Sequence, residues 1–285
     1  MMRITLIWLI AASFFSCAAY SATWNIIYPR PLTENDQRTR YPVQLLKTAL
    51  EHTGVKYKLS PSDRILLQRK ALKLLGENRG LHVVWSMTDK PRESQLLPIR
   101  IPIYKGLIGW RLLLANETQL PKLANITSPE QLMQHRVIQG HDWPDTKILQ
   151  SNGFEVVTSK TYLGLFSLLE KYPTNVFPRS VIEVWSELET ESIAPTTQVV
   201  PNIGIQYPSA VYFFVNKRNI TLAKLIQNGL EKAIESGKFD ALFNETYAPI
   251  LERSNMANRQ FFKLDNTSLP EETPIDRDEL WFSPK

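Results

Sequence analysis

The sequence predicts an α/β fold with mostly parallel sheets, and three observations carry that expectation. Short apolar runs alternate with segments whose leucines fall at helical spacing along almost the whole chain. Glycines stand where several helical segments stop, at Gly54, Gly76 and Gly237. Small polar residues follow the strands, as in Ser86-Met87-Thr88 and Gln139-Gly140, where open α/β sheets gather their ligand-binding groups.

In chain order, residues 24–28 (WNIIY) read as a strand closed by Pro29 and Pro31, and polar residues 33–40 as a loop. Leu45, Leu46 and Leu50 share one face of a helix over 43–53. A strand over 55–59 follows, and Ser62-Asp63 supplies a cap for a helix over 64–75. The apolar runs 81–85 and 107–114 read as strands, with a proline-punctuated segment between them. Ser128-Pro129-Glu130 opens a helix, with serine as cap and proline in the first turn. A second series then places strands at 136–139, 154–157, 176–177 and 198–200, and helices at 145–150, 162–172 and 181–188. The chain returns through Tyr207-Pro208-Ser209-Ala210 into a strand at 211–215, a helix at 222–234 and a second helix within SGKFDALFNETY. The last stretch, 261–282, is rich in proline and acids. Leu264, Leu269, Leu280, Trp281 and Phe282 are its anchors, expected to hold it on the outside of the first half of the fold.

The first residues have the form of an export signal. Arg3 is a minimal positive region, residues 4–15 are an apolar core too short to span a bilayer, and Ala19-Tyr20-Ser21 is a small-x-small cleavage site. The mature chain is expected to begin near Ala22, in the periplasm, and to lack cysteine, because Cys17 falls in the removed segment. Acylation of Cys17 is the weaker alternative, since Phe14-Phe15-Ser16 lacks the usual leucine. The net charge of +5, with both signs interspersed, argues against a nucleic-acid partner.

The densest signal runs from Leu81 to Leu114. After the first strand come Ser86 and Thr88 and then Arg92, whose planar guanidinium matches a carboxylate bidentately. A surface arginine behind an ordinary strand is the plainer account of Arg92 taken alone. Pro102-Ile103-Tyr104, Lys105-Gly106 and a crossing strand follow. This order resembles the bacterial extracellular solute-binding proteins of the amino-acid type, family 3 of the periplasmic binding proteins. Those carry a strand, a T-x-T-x-x-R-like turn, a D-F-S-x-P-Y-Y segment and a crossing strand. Ser86, Thr88 and Arg92 fill the ligand-contact positions, with one extra residue before the arginine, and Pro102-Ile103-Tyr104 stands where P-Y-Y would.

The resemblance implies a two-lobed, type 2 periplasmic-binding-protein-like fold, each lobe a mostly parallel sheet flanked by helices, joined by two crossing strands. It assigns residues 22–114 and 212–285 to lobe 1 and residues 115–211 to lobe 2, behind a signal at 1–21. In the family, a turn like that at Gly140 lets the backbone at a helix start hold the ligand carboxylate. Trp143 would add a flat apolar wall; an ordinary capped helix with a partly buried tryptophan is the alternative. Asp142 and Asp145 depart from that pattern because they would repel an anion. Arg92, Ser86 and Thr88 would hold the anionic end of a ligand, Tyr28 and Trp143 would cover its apolar part, and Arg179 would meet a second anionic or polar group.

Amino-acid-binding members carry an aspartate for the ligand ammonium where this chain has Ser180 beside Arg179. Glu183, one turn on, is either its substitute or the partner of Arg179 on the helix surface. A buried ammonium without a carboxylate loses solvation that nothing restores. The expected ligand is therefore a carboxylate without an amine, or one with a second acidic or polar group, rather than a simple zwitterion.

Catalytic signatures are missing from the sequence. His141, Asp142 and Asp145 form an H-D-x-x-D cluster, but none of the four histidines has metal-ligand spacing. There is no G-x-S-x-G elbow and no glycine-rich phosphate loop. Glu183 and Glu187 share a helix face that reads as solvated. The expected function is non-enzymatic: a monomeric periplasmic protein holding a small anionic or amino-acid-like solute between its lobes, for an inner-membrane permease or a membrane sensor. No cofactor, metal or nucleic acid enters this reading. A ligand-free adaptor of the same fold is the first alternative, and a cell-wall-acting enzyme, which needs a positioned acid in the cleft, is the second.

Overall fold

The computed structural model describes residues 23–31, 37–190 and 192–284. The expected export signal, its cleavage site, Cys17 and the beginning of the loop after Pro31 lie outside the described residues. The chain opens with β1 (Trp24–Arg30), α1 (Gln37–Glu51), β2 (Tyr57–Ile65), α2 (Gln68–Gly76), β3 (Val84–Met87), α3 (Lys90–Gln95) and β4 (Leu96–Ile99). It crosses into β5 (Trp110–Asn116), the short helices α4 (Leu120–Leu123) and α5 (Pro129–Leu132), β6 (Val137–Gly140) and α6 (Pro144–Ser151). Then come β7 (Val156–Ser159), α7 (Tyr162–Lys171), β8 (Phe177–Ser180), α8 (Val184–Leu188) and β9 (Thr197–Gln206). It returns as β10 (Val211–Asn216), α9 (Ile220–Glu235), α10 (Lys238–Ser254) and β11 (Gln260–Lys263).

These elements form two α/β lobes. In the first, β1 and β2 run parallel, and the backbone N–H groups of His82 and Val83 donate to Ile27 and bring β3 alongside β1. The returning strand β10 lies antiparallel between β3 and β4. In the second, β6 and β7 run parallel, and a parallel bridge from Val137 to Val176 links β6 to the chain entering β8. Here β5 is the antiparallel strand, between β8 and β9. Each lobe thus receives its crossing strand into the middle of its sheet.

Packing explains why the helices form where they do. Leu45, Leu46, Ala49 and Leu50 on α1 are fully buried, and each large side chain contributes about 1.5–3 kcal/mol by leaving water. The helix begins at Gln37, inside the expected loop, because Tyr41 is drawn into the core and donates its hydroxyl to the Ile103 carbonyl at 2.8 Å. The expected helix over 64–75 starts late for a similar reason. Ser62 does not cap it; its Oγ accepts from the Arg30 N–H at 3.0 Å and donates to the Arg64 carbonyl at 2.7 Å. Those bonds extend β2 to Ile65 and leave α2 without a capping side chain.

The lobes meet where β5 and β9 begin and end. The Tyr207 N–H donates to the Gly109 carbonyl at 3.2 Å, and Trp110 pairs with Gln206. A Cβ on Gly109 would stand 2.0 Å from the Tyr207 oxygen, so only glycine permits this crossing. The C-terminal segment departs from the expected assignment of residues 212–285 to lobe 1. β11 pairs in parallel with β9 of the second sheet, and Phe261 packs edge-on against Trp110 at 4.8 Å. Burial of Phe262 and the bond from Arg259 Nη1 to the Val200 carbonyl at 2.7 Å hold it there. Beyond Asp265, which exchanges hydrogen bonds with Asn152 of the second lobe, the chain returns to the first lobe. Lys90 donates to the Ser268 carbonyl, Arg277 makes a two-pronged contact with Glu231, and Leu280 is fully buried.

Candidate functional site

The first lobe delivers one arginine to the space between the lobes. β3 ends at Met87, and Asp89 caps α3 by accepting from the Arg92 N–H at 2.7 Å. This cap, with Pro91 in the first turn, points the Arg92 side chain back toward the strand end. Arg92 Nη1 donates to Ser86 Oγ at 3.0 Å and to the Met87 carbonyl, while Asp89 lies 3.9 Å from Nε. The side chain is 14 % exposed. Burial lowers its pKa from the ordinary range, and the charges of Asp89, Asp145 and Asp142 act against that shift. The last two belong to the other lobe, so Arg92 faces acids across the cleft.

Thr88 is turned inward. Its backbone donates to Ala210, and its hydroxyl donates to Glu93 Oε1 at 2.6 Å. Tyr28 lies on β1 with its ring 6.2 Å from that of Trp85. At the start of α6, Gly140 is approached by a side chain rather than left open for a ligand: a Cβ there would fall 2.4 Å from the Trp143 ring. Thr146 Oγ1 donates to the Gly140 carbonyl at 2.7 Å and fixes this turn.

Behind the turn lies a buried charge cluster, of which the sequence indicated only the pairing of Arg179 with Glu183. Arg111, on β5 and 2 % exposed, pairs with Asp145, which also accepts from the Tyr207 hydroxyl. Arg179, at the end of β8, donates from Nε to both oxygens of Glu187, at 3.0 and 2.8 Å. The Tyr162 hydroxyl donates to Glu187 Oε1 at 2.8 Å, and the Trp143 ring stacks 4.8 Å from the Arg179 guanidinium. Glu183 Oε2 lies 3.0 Å from Arg179 and 3.5 Å from Arg111, near in charge but misaligned for a hydrogen bond to either. Ser180 is fully buried and donates to the Leu107 carbonyl at 3.0 Å.

The electrostatics follow from this geometry. Burial pushes the Glu187 carboxyl up, but Arg179 and the Tyr162 hydroxyl outweigh it and hold the group below its usual range. Burial and the adjacent Glu187 charge push the Tyr162 phenol up. Burial disfavours charge on Arg179, yet Glu183 and Glu187 overcome it and keep the guanidinium ionised. Two expectations are corrected. Arg179 is not available to a second anionic group, because Glu187 occupies its fork. Glu187 is not on a solvated face, being 5 % exposed. Among the described residues no group of His, Cys, Asp and Glu is arranged to hold a metal ion.

Between the lobes opens a cavity of about 1160 Å³, walled by α2 and α3 on one side and by α6 with β7 on the other. Of the residues the sequence assigned to a ligand, Arg92 and Trp143 line it. Tyr28, Ser86, Thr88, Gly140, Arg179, Ser180 and Glu183 are not among its lining residues. Arg69 and Asp142 meet across this opening at 3.1 Å, and Arg38 lies over the Tyr162 ring at 5.5 Å. The sequence signal for the missed cluster was the arginine inside the apolar run WRLLLA, a charge that burial obliges to find a partner.

No family model matches the chain, and no curated protein matches its sequence. Solved structures do match. A histidine kinase sensor domain with similarity to periplasmic binding proteins aligns with a TM-score of 0.59 at 16% identity, over 79% of this chain and 95% of that one. A probable amino-acid ABC transporter extracellular-binding protein from Bacillus subtilis gives 0.58 at 20% identity, over 79% and 97%. An arginine-specific periplasmic binding protein from Salmonella typhimurium gives 0.55 at 14% identity, over 79% and 99%. At these identities the likeness is one of fold. The chain therefore has the two-lobed α/β fold of the periplasmic binding proteins, as its resemblance to family 3 implied.

Proposed function

We propose that this chain is a solute-binding protein whose lobes close on a small anionic or amino-acid-like molecule, without catalysing a reaction on it. The observation that carries the reading is Arg92. It stands in the wall of the interlobe cavity, held by Ser86, the Met87 carbonyl and its helix cap, and its Nη2 donors have no hydrogen-bond partner among the described residues. A guanidinium fixed in this way needs little further ordering to receive a carboxylate. The solved neighbours include a probable amino-acid ABC transporter extracellular-binding protein, an arginine-specific periplasmic protein and a kinase sensor domain, which supports solute recognition for a permease or for a sensor. Export to the periplasm as a monomer completes the reading. No helix among the described residues is long and apolar enough to cross a membrane.

Mass spectrometry of small molecules released from the purified protein tests this, followed by thermal-shift titration with amino acids and dicarboxylates. A released carboxylate that raises the melting temperature supports the reading, and silence in both assays rejects it. N-terminal sequencing of the exported form, expected to begin near Ala22, tests the location. A second reading, a sensor or adaptor that no longer needs a ligand, is favoured by one observation. The buried cations of the second lobe, Arg111 and Arg179, are already neutralised by Asp145, Glu183 and Glu187.

A further inference from the structure

Clefts of about 300–1,000 Å³ serve drug-sized ligands, and this cavity, at about 1160 Å³, is larger still. A free amino acid or dicarboxylate anchored on Arg92 would leave most of that space to water. The rest of the wall runs along α2, α3 and α6, where the exposed amides of Gln68, Gln95 and Gln150 line it. A primary amide donates and accepts at once, which suits the alternating N–H and C=O groups of a peptide backbone.

The charges of the wall are unevenly matched. Asp89 is committed to the cap of α3, Asp142 is paired with Arg69, and Glu77 lies 3.8 Å from Lys73 and 3.4 Å from Arg79. Lys147, on α6 in the facing wall, has no such partner among the described residues. The cavity therefore offers two cationic points on facing walls, Arg92 and Lys147, with hydrogen-bonding amides on both sides between them.

We propose that the cleft accommodates a short acidic peptide: a terminal carboxylate on Arg92, the backbone along the glutamine amides, and a side-chain carboxylate on Lys147. This specifies the ligand of the solute-binding reading above and rests on it. The two are separated by isothermal titration of the purified protein with glutamate, glutamyl-glutamate and galacturonate. The dipeptide is expected to bind about tenfold or more tightly than glutamate, the gain of one additional charged contact. Lys147→Ala should lower that affinity ratio by about fivefold or more, and Lys147→Arg should restore it. A ratio near one, or a ratio that Lys147→Ala leaves unchanged, overturns the peptide site. The solute-binding reading survives that result if glutamate still binds and Arg92→Ala weakens it. Galacturonate binding more tightly than the dipeptide overturns the peptide chemistry in favour of a sugar acid. Failure of all three probes to bind, with no small molecule released from the freshly purified protein, overturns the peptide site and the solute-binding reading together.

Discussion

Arg179 and Glu187 form a fully buried two-pronged ion pair in which a strand end meets a helix eight residues further along the chain. Neither group is left to water, and Tyr162, Trp143 and Glu183 surround them. Removing one member of such a pair strands a charge in a dry environment, whereas replacing both with apolar groups of similar volume is far less costly. Glu187→Ala should therefore lower unfolding free energy by about 3–5 kcal/mol, and Arg179→Met with Glu187→Leu by much less, measured by urea denaturation. The same pair sets an acid limit. The folded-state pKa of Glu187 lies below its ordinary value of 4.5, so its stabilisation is present above that pH and is lost as pH falls through the folded-state value.

Arg92 is predicted to govern affinity and not folding. A charge-assisted hydrogen bond of this kind is worth about 1.5–3 kcal/mol, or roughly ten- to a hundredfold in binding. Arg92→Ala should weaken binding of the true solute by that factor, read by calorimetry, with an unchanged circular dichroism spectrum. Unchanged affinity would place the anion elsewhere.

Ligand class has its own test. Ser180 replaces the expected acid and is buried against the Leu107 carbonyl, so it cannot receive an ammonium. Glutarate is expected to bind more tightly than glutamate among single-residue ligands. Tighter binding of glutamate that is lost in Glu183→Gln would return the site to ordinary amino-acid recognition.

The contact between Arg69 and Asp142 spans the two lobes through solvent, with the side chains 72 % and 44 % exposed. Exposed pairs contribute about 0.2–1 kcal/mol and are screened by salt. That is enough to bias an opening motion without fixing it. Asp142→Arg should enlarge the radius of gyration in small-angle scattering at low salt, and the reversed pair Arg69→Asp with Asp142→Arg should restore it. Equal dimensions for all three proteins would exclude any role for this contact in closure.

His82 accepts from the Ile27 N–H at 3.0 Å through Nδ1, which requires a neutral ring. Burial lowers its pKa below the ordinary 6.5. The unfolded state thus binds more protons between the two values, and stability falls as pH drops below about 6.5. The melting temperature should decline from pH 7 to pH 5, and His82→Gln should flatten that part of the profile.

What was legible in the sequence is what local spacing encodes. The leucines of α1 and the cap at Ser128 report burial and turning within a few residues of themselves. The strand expected over 81–85 forms two to three residues later, at Val84–Met87, because Ser86 and Met87 pair with Tyr212 and Val211. The order of those elements sufficed for the fold. The pairing of Arg179 with Glu183, one turn on, was legible; the rest of the charge cluster was not, because its members find one another only after folding. Arg111 and Asp145 are 34 residues apart, and Tyr207 lies 62 beyond Asp145. Ser62 misled for a related reason: a capping side chain and a strand-zipping side chain are the same hydroxyl, and only the neighbouring Arg30 decides between them.

The excursion of β11 into the second sheet has a mechanical meaning. After α10 the chain leaves the first lobe, threads along β9, is clipped to Asn152 at Asp265, and comes back to dock Trp281 over Gly106. Two linkers alone would let the halves swing like covers on a spine. A seam stitched through both covers shortens the swing, and the extent to which this protein can gape is set by the slack between Lys263 and Ser268 as much as by the strands at its waist.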